Sequence, residues 1–359
     1  FCDQICTYCD FCKMVTSEHT KKEYMKAVVK ELEYYSDLLE QIETIYIGGG
    51  TPSSLNIDLL DAFLHELESL VNMKEVIEFT IEANPNDVSP KWLNMIKKHD
   101  VTRVSMGVQT LDETLLKFLG RTHSLDIVES AIDLLNQSKI QFNLDFLYGI
   151  PGQTKESLLN DLSYIQKFKP HHVSYYSLIL EDKTILSYLI SKNKVKDFSD
   201  DLARDFGEII DVSLKDYDYY KYEFSNYCKP GYESKHNLMY WNLEEYLGVG
   251  LHAASQYNYT RMVNPKRISE YLQGVQEKVL TMHRVEDFDP KMETILMGLR
   301  KTEGISLEKY RLHYKVNLFD AFPKLTKHLD SKLLTIEDGY LRFTNQGMYL
   351  SNQVYMDII

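Results

Sequence analysis

Short apolar runs alternate with amphipathic segments about every 30 residues through the first half of this 359-residue sequence, and few folds accommodate that rhythm. Residues 42–47, 76–83, 102–109, 140–148 and 172–178 read as strands. Between them, 57–71, a segment beginning at Ser89-Pro90, 111–119, 124–138 and 154–168 carry the three- and four-residue recurrence of helices, preceded by another at 18–40. A further helix at 199–216 leads into an apolar-aromatic strand at 219–224. Strands that alternate with helices across short loops build a parallel sheet. The pattern alone fits a full barrel, a partial barrel and an open doubly wound sheet equally well.

From about residue 285 the character changes. Three helices, at 289–300, 306–314 and 318–330, precede two strand-like runs within 333–343. Asp338-Gly339 between those runs favours a type I′ hairpin, and a last helix is expected at 345–356. Helices followed by a β-wing predict a smaller winged-helix-like α+β domain. The organisation expected is therefore an α/β unit over 1–225, a connecting region over 226–284 and the winged-helix-like domain over 285–359. Such domains often bind DNA, but 40 Lys and Arg against 53 Asp and Glu leave a net charge of −13, which repels phosphate backbones. No apolar run approaches the ~20 residues of a membrane span.

Four of the five cysteines lie in the first twelve residues, at Cys2, Cys6, Cys9 and Cys12; the fifth is Cys228. The first three are spaced C-x3-C-x2-C, with Tyr8 before the third. A disulfide framework suits small secreted domains, and zinc sites usually pair two C-x2-C halves, of which no second is present. Three thiolates on one loop instead suit three irons of a [4Fe–4S] cube, with the fourth iron open to a ligand. Clustered, oxygen-sensitive thiols point to a reducing cytoplasm. The sequence begins directly on this loop, so the strand that normally precedes it in a barrel is expected upstream.

C-x3-C-x-aromatic-C resembles the signature of radical S-adenosylmethionine (SAM) proteins. As a whole the chain resembles the branch that holds oxygen-independent coproporphyrinogen III oxidase and the heme chaperone HemW. That resemblance implies a partial (β/α) barrel open at one side. It implies Cys2, Cys6 and Cys9 as ligands of a [4Fe–4S] cluster, and reductive cleavage of SAM by one electron. It also carries over the SAM contacts: Tyr8; Gly49, Gly50 and Thr51 of the run Gly48-Gly-Gly-Thr-Pro52; Glu82; Gln109; Arg121; and Asp145. The chemistry suits a zwitterionic, cationic cofactor, since carboxylates accept from ribose hydroxyls or an amino group and Arg121 pairs with a carboxylate. Singly, each could be a solvated polar residue at a strand end. The glycine run is neither a phosphate loop nor a dinucleotide fingerprint, because no Gly-Lys-Ser/Thr follows and G-x-G-x-x-G is missing.

Two features divide the branch. The oxidase carries a cysteine two positions after the third, where this chain has Phe11; the extra thiol is displaced to Cys12. His236-Asn-x-x-Tyr240-Trp241 resembles the heme-binding motif of the chaperone, with His236 as axial ligand. The alternative for His236 is a histidine that hydrogen-bonds within a packed segment. His252 is a second histidine in the same region, and of the neighbours His171 and His172 at most one can face inward. The expectation is a heme chaperone that binds a [4Fe–4S] cluster, SAM and heme, delivers heme to apo-proteins in the cytoplasm and, by analogy, forms a homodimer. The alternatives are an active coproporphyrinogen oxidase and a radical SAM enzyme on another substrate.

Overall fold

A computed structural model describes residues 1–279, 283–285 and 288–359. After the cysteine loop come α1 (Glu18–Tyr34) and the short α2 (Ser36–Leu39). Repeating strand–helix units follow: β1 (Thr44–Ile47), α3 (Ile57–Leu70), β2 (Glu78–Ala83), α4 (Pro90–Lys98), β3 (Arg103–Gln109), α5 (Glu113–Leu119), α6 (Leu125–Ser138), β4 (Gln141–Tyr148), α7 (Lys155–Phe168) and β5 (His172–Ser177). Helix starts are set by side-chain caps. Ser17 accepts from Thr20 N, Ser89 from Trp92 N ahead of Pro90, and Thr154 forms a capping box with Ser157.

β1 to β5 are parallel and lie in chain order. The expected strand at 219–224 is replaced by two short ones. After α8 (Ile185–Ser191), absent from the sequence reading, and α9 (Asp200–Asp216), the chain forms β6 (Tyr220–Lys221) and β7 (Asn226–Cys228). Glu223 accepts from Ser225 N and turns the chain between them, so β7 returns antiparallel to β5 and β6 takes the edge. The seven strands run β1-β2-β3-β4-β5-β7-β6 without closing β1 onto β6, which makes a partial barrel.

Strand alternation gives this sheet two unlike faces. Outward residues such as Phe79, Ile81, Val104, Met106, Phe142, Leu144 and Val173 are buried against Leu60, Leu64, Trp92, Ile96, Leu135, Leu158 and Ile165 of the helices. Each such burial contributes about 1.5–3 kcal/mol. The inward face is polar: Glu78, Thr80, Arg103, Ser105, Asn143, His172 and Ser174 are all buried there. Of the two adjacent histidines, His172 is the inward one.

α10 (Lys235–Trp241) then crosses from the β7 side to β1 at the N-terminal ends of the strands. Beyond it, β8 (Ala254–Tyr257), β9 (Thr260–Val263) and β10 (His283–Val285) form an antiparallel sheet, with α11 (Ile268–Glu277) packed beside α1. Buried Glu31 of α1 fixes this junction by accepting from Tyr271 Oη (2.5 Å), Asn264 Nδ2 (2.7 Å) and Gly250 N (2.8 Å).

The C-terminal region has its own core around Ile295, Leu299, Tyr310, Leu325, Leu341, Phe343 and Val354. It comprises α12 (Pro290–Gly298), β11 (Ile305–Ser306), α13 (Leu307–Tyr314), α14 (Leu318–Ala321), α15 (Thr326–Asp330), β12 (Leu334–Glu337), β13 (Tyr340–Phe343), α16 (Asn345–Tyr349) and α17 (Ser351–Tyr355). The single helix expected at 318–330 is divided by Pro323, which starts a 3-10 turn, and that expected at 345–356 is divided at Leu350. The wing is as expected: Asp338 and Gly339 have φ of 51° and 81°, the left-handed pair a type I′ turn needs. Tyr349 docks this domain on α9, donating to Asp211 at 2.7 Å.

Candidate cofactor site at the strand C-termini

The cysteine loop is folded over the C-terminal ends of β1 to β4 by backbone bonds. Thr7 N donates to Leu119 O at 3.0 Å, Leu186 N to Thr7 O at 2.9 Å and Thr51 N to Phe1 O at 2.6 Å. Tyr8 packs its ring on the apolar group Leu115, Leu119, Leu147 and Ile150 beneath the loop, and burial pushes its phenol pKa up. Between loop and strands lies a cavity of about 560 Å³. Cys2, Cys6, Cys9, Tyr8, Gly50, Thr51, Glu82, Gln109, Arg121 and Asp145 all line it.

The three thiols are free. Thr51 Oγ1 lies 3.5 Å from Cys2 Sγ, and Arg121 Nη1 lies 3.8 Å from Cys6 Sγ. Among the described residues no three His, Cys, Asp or Glu side chains converge as a single-ion site. A cube that spreads its ligands over three irons asks for separate thiols around one opening, and the donor set fits it. Cys12 stands apart: its thiol lies 3.9 Å from Lys266 O and does not line the cavity. Phe11 sits at the mouth, 70% exposed.

The glycines allow close approach of the chain to itself: a Cβ at Gly50 would lie 2.4 Å from Phe1 N. A Cβ at Gly48 would lie 2.7 Å from the Glu82 carboxylate, and one at Gly107 would lie 3.2 Å from Arg121 Nη2. Gly49 has a φ of 106° and no atom within 4 Å of a would-be Cβ; it does not line the cavity itself, but its N–H donates to Glu82 Oε2 at 3.1 Å. Glu82 also accepts from Tyr46 Oη at 2.9 Å. Burial, with Asp145 adding to it, raises this carboxyl to about 7 against the two hydrogen bonds. Arg121 reaches back to β3, donating to Asn84 Oδ1 (2.7 Å) and Gly107 O (2.6 Å). Gln109 has a φ of 70° at an irregularity in the β3–β4 register, strain of the kind concentrated at ligand sites. Asp145, its pKa raised by burial, accepts from Ser105 Oγ at 3.0 Å and Asn143 Nδ2 at 2.7 Å.

Sequence reasoning missed Tyr46 and Asn84, which hold Glu82 and Arg121. The only sequence signal for them was adjacency: Tyr46 precedes the glycine run by two positions and Asn84 follows Glu82 by two.

His236 is not part of this cavity. It lies at the opposite end of the barrel, on α10, stacked on the far face of Tyr46 (centroids 5.2 Å apart, 23°). Its Nδ1 is 2.8 Å from Thr44 Oγ1 and its Nε2 is 2.8 Å from Tyr240 Oη. Burial holds its pKa down to about 4. The helix start is fixed by Glu78, which accepts from Lys235 N (2.9 Å) and His236 N (3.0 Å). No residue of α10 is fully buried. Trp241 Nε1 and Arg300 Nε are enclosed without a hydrogen-bond partner among the described residues, with the Arg300 guanidinium 4.6 Å from a Trp241 ring centroid. Both imidazole nitrogens of His236 are thus engaged within the chain. His252 is exposed, in a turn with φ of 59°, and joins neither group.

The radical SAM superfamily model matches residues 1–165 and the HemN C-terminal domain model matches 291–350. The heme chaperone HemW of Lactococcus lactis is 33% identical over 358 residues, covering 99% of this chain and 94% of the relative. That of Bacillus subtilis is also 33% identical, covering 99% and 96%. Among solved structures, coproporphyrinogen III oxidase (HemN) from Escherichia coli superposes with a TM-score of 0.84 over 99% of this chain and 87% of that one, at 19% identity, a likeness of fold. With the cysteine loop over the strand ends, the polar lumen and the C-terminal wing in place, the chain belongs to the radical SAM superfamily, in the family of the heme chaperones HemW.

Proposed function

We propose that the protein is a heme chaperone of the cytoplasm that holds a [4Fe–4S] cluster, SAM and heme and passes heme to apo-proteins, acting as a homodimer. The observation that carries the cofactor half is the meeting of three free thiols and the strand-end residues around one cavity. Cys2, Cys6 and Cys9 hold the cluster, and a cube with one open iron supplies an electron to a ligand bound there. Thr51 and Gly50, which line the cavity, and the adjoining Gly49 backbone receive the amino-acid end of SAM, and Arg121 neutralises its carboxylate. Glu82 and Asp145 accept from its hydroxyl and amino groups, Gln109 offers its amide, and Tyr8 anchors the loop above. The heme half rests on the likeness to the chaperones and on His236 with Tyr240 and Trp241. The 1–225, 226–284 and 285–359 segments serve as cofactor barrel, heme-motif region and C-terminal cap.

The test pairs a hemin titration of the reconstituted protein with an anaerobic assay on coproporphyrinogen, SAM and reductant. The expected result is hemin binding that weakens in His236→Ala, with coproporphyrinogen unconsumed. Turnover to protoporphyrinogen would replace the chaperone reading with the oxidase.

A further inference from the structure

Gln109 lines the cavity from the left-handed region of backbone space, which a residue with a Cβ keeps only where its surroundings hold it there. Those surroundings are specific. β3 and β4 pair Gly107 with Asp145 and Gln109 with Phe146, so Val108 bulges out of the ladder just before Gln109. The Val108 carbonyl accepts from Thr110 N at 2.9 Å and from His123 Nε2 at 3.0 Å. After Gln109, the chain is tied to α7. Asp161, fully buried there, accepts from Thr110 Oγ1 at 2.9 Å and from Leu111 N at 2.7 Å. Thr110 Oγ1 itself accepts from Asp112 N at 3.2 Å, so its single proton goes to Asp161.

A buried carboxyl without a cation beside it is costly, and burial pushes that of Asp161 up to about 7. Both of its donors belong to the two residues that follow Gln109. Neither Asp161 nor Thr110 lines the cavity, so any effect on a ligand there must pass through a neighbour. That neighbour is aimed: a Cβ at Gly107 would lie 2.9 Å from Gln109 Nε2 and 3.2 Å from Arg121 Nη2, so amide and guanidinium converge over one glycine. We infer that Asp161 is a positioning residue for the cofactor cavity, clamping Thr110 and Leu111 so that Gln109 is held in its left-handed conformation with its amide beside Arg121. His123 fixes the other side of the same bulge. This rests on the SAM reading above and adds what presets one of its contacts.

Crystal structures and SAM equilibrium dialysis of the cluster-reconstituted full chain test it. In Asp161→Ala, Gln109 is expected to relax to a negative φ. SAM affinity should fall about tenfold, the equivalent of one hydrogen bond, with iron and sulfide content unchanged. Gln109→Ala should lose about as much, and the double variant no more than either, because both act through one side chain. Asp161→Asn should restore the parent affinity, since its Oδ1 still accepts from Leu111 N and its amide can donate to Thr110 Oγ1. Should Asp161→Ala fail to fold, Thr110→Val removes one of the two bonds, with a loss of about threefold expected. Gln109 still at positive φ in Asp161→Ala overturns the clamp, as do additive losses in the double variant. Undiminished affinity in Thr110→Val, with Gln109→Ala impaired, overturns it too. If Gln109→Ala binds SAM as the parent does, the SAM contact at Gln109 fails, while the crystal structure still decides the clamp.

Discussion

The two ends of the barrel are built on opposite plans. At the C-terminal ends of the strands, polar groups face a cavity with spare capacity: free thiols, a carboxyl near its midpoint at neutral pH and glycine-cleared space. At the N-terminal ends, α10 is held by the barrel, with Glu78 on its backbone, Thr44 and Tyr240 on the two nitrogens of His236, and Tyr46 under the ring, while Trp241 Nε1 has no partner among the described residues. One strand shows both plans. On β2 the inward residues Glu78 and Glu82 are four positions apart, about 13 Å in an extended strand. The first closes a helix and the second lines the cavity. A substitution at one end removes a group that lines a cavity, and at the other a bond that holds the fold together.

The sharpest break of this contrast is at the loop. Changing Cys2, Cys6 or Cys9 to Ser is expected to remove nearly all bound iron and sulfide, about four of each per chain in the parent, read by metal and sulfide analysis. The same change at Cys12 should leave them in place. Full retention in all three variants would mean the cavity is not the cluster site.

At the other end, Glu78→Ala removes the acceptor for Lys235 N and His236 N and leaves buried Arg103 without its carboxylate 4.0 Å away. A loss of about 3 kcal/mol in denaturant unfolding is expected. Hydrogen exchange should rise first in α10. A variant as stable as the parent would show that α10 does not need its cap.

Protonation separates the ends next. Glu82 has its pKa raised to about 7 in the fold from 4.5, so the folded state holds a proton that the unfolded chain has given up between those values. Its stabilising contribution is present below pH 4.5 and is lost as pH rises through about 7, with a slope of at most ~1.4 kcal/mol per unit. Affinity for cationic SAM runs the other way, rising by at most ~10-fold per unit until the carboxylate has formed. Glu82→Gln should flatten both profiles. The smallest effect expected is for Gly107→Ala. Its Cβ would press on the movable ends of Gln109 and Arg121, so SAM affinity should fall about threefold while stability changes by under ~1 kcal/mol.

Much of this was legible in the sequence because period and motif are local properties. β1 to β5 announced themselves by apolar runs between turns, and Glu82 and Gln109 stand at the ends of such runs, whereas Arg121, after α5, and Asp145, within β4, were picked out by the family resemblance. The reversal of β7 was not legible, since it depends on Glu223 turning onto Ser225 rather than on strand propensity. The break at Pro323 should have been read, because proline cannot continue a helix. Tyr46 and Glu78 were invisible for another reason. Their roles come from partners far away in the chain, Glu82 and His236 for one and Lys235 and His236 for the other.

The polar lumen also governs how this sequence can drift. The Asn143 amide has Ser105, Ser174 and Asp145 within hydrogen-bond reach of Nδ2, while its Oδ1 meets His172 Nδ1 at 2.7 Å. His172 passes the chain to Tyr222 Oη, which accepts from Ser234 N beside α10. An apolar replacement at Asn143 would strand several enclosed polar groups at once, whereas the outward Leu144 could exchange for Met or Ile at small cost. Alternate positions of one strand therefore evolve under different rules: the helix-facing set one residue at a time, the lumen set only in concerted groups, so that its members are inherited together.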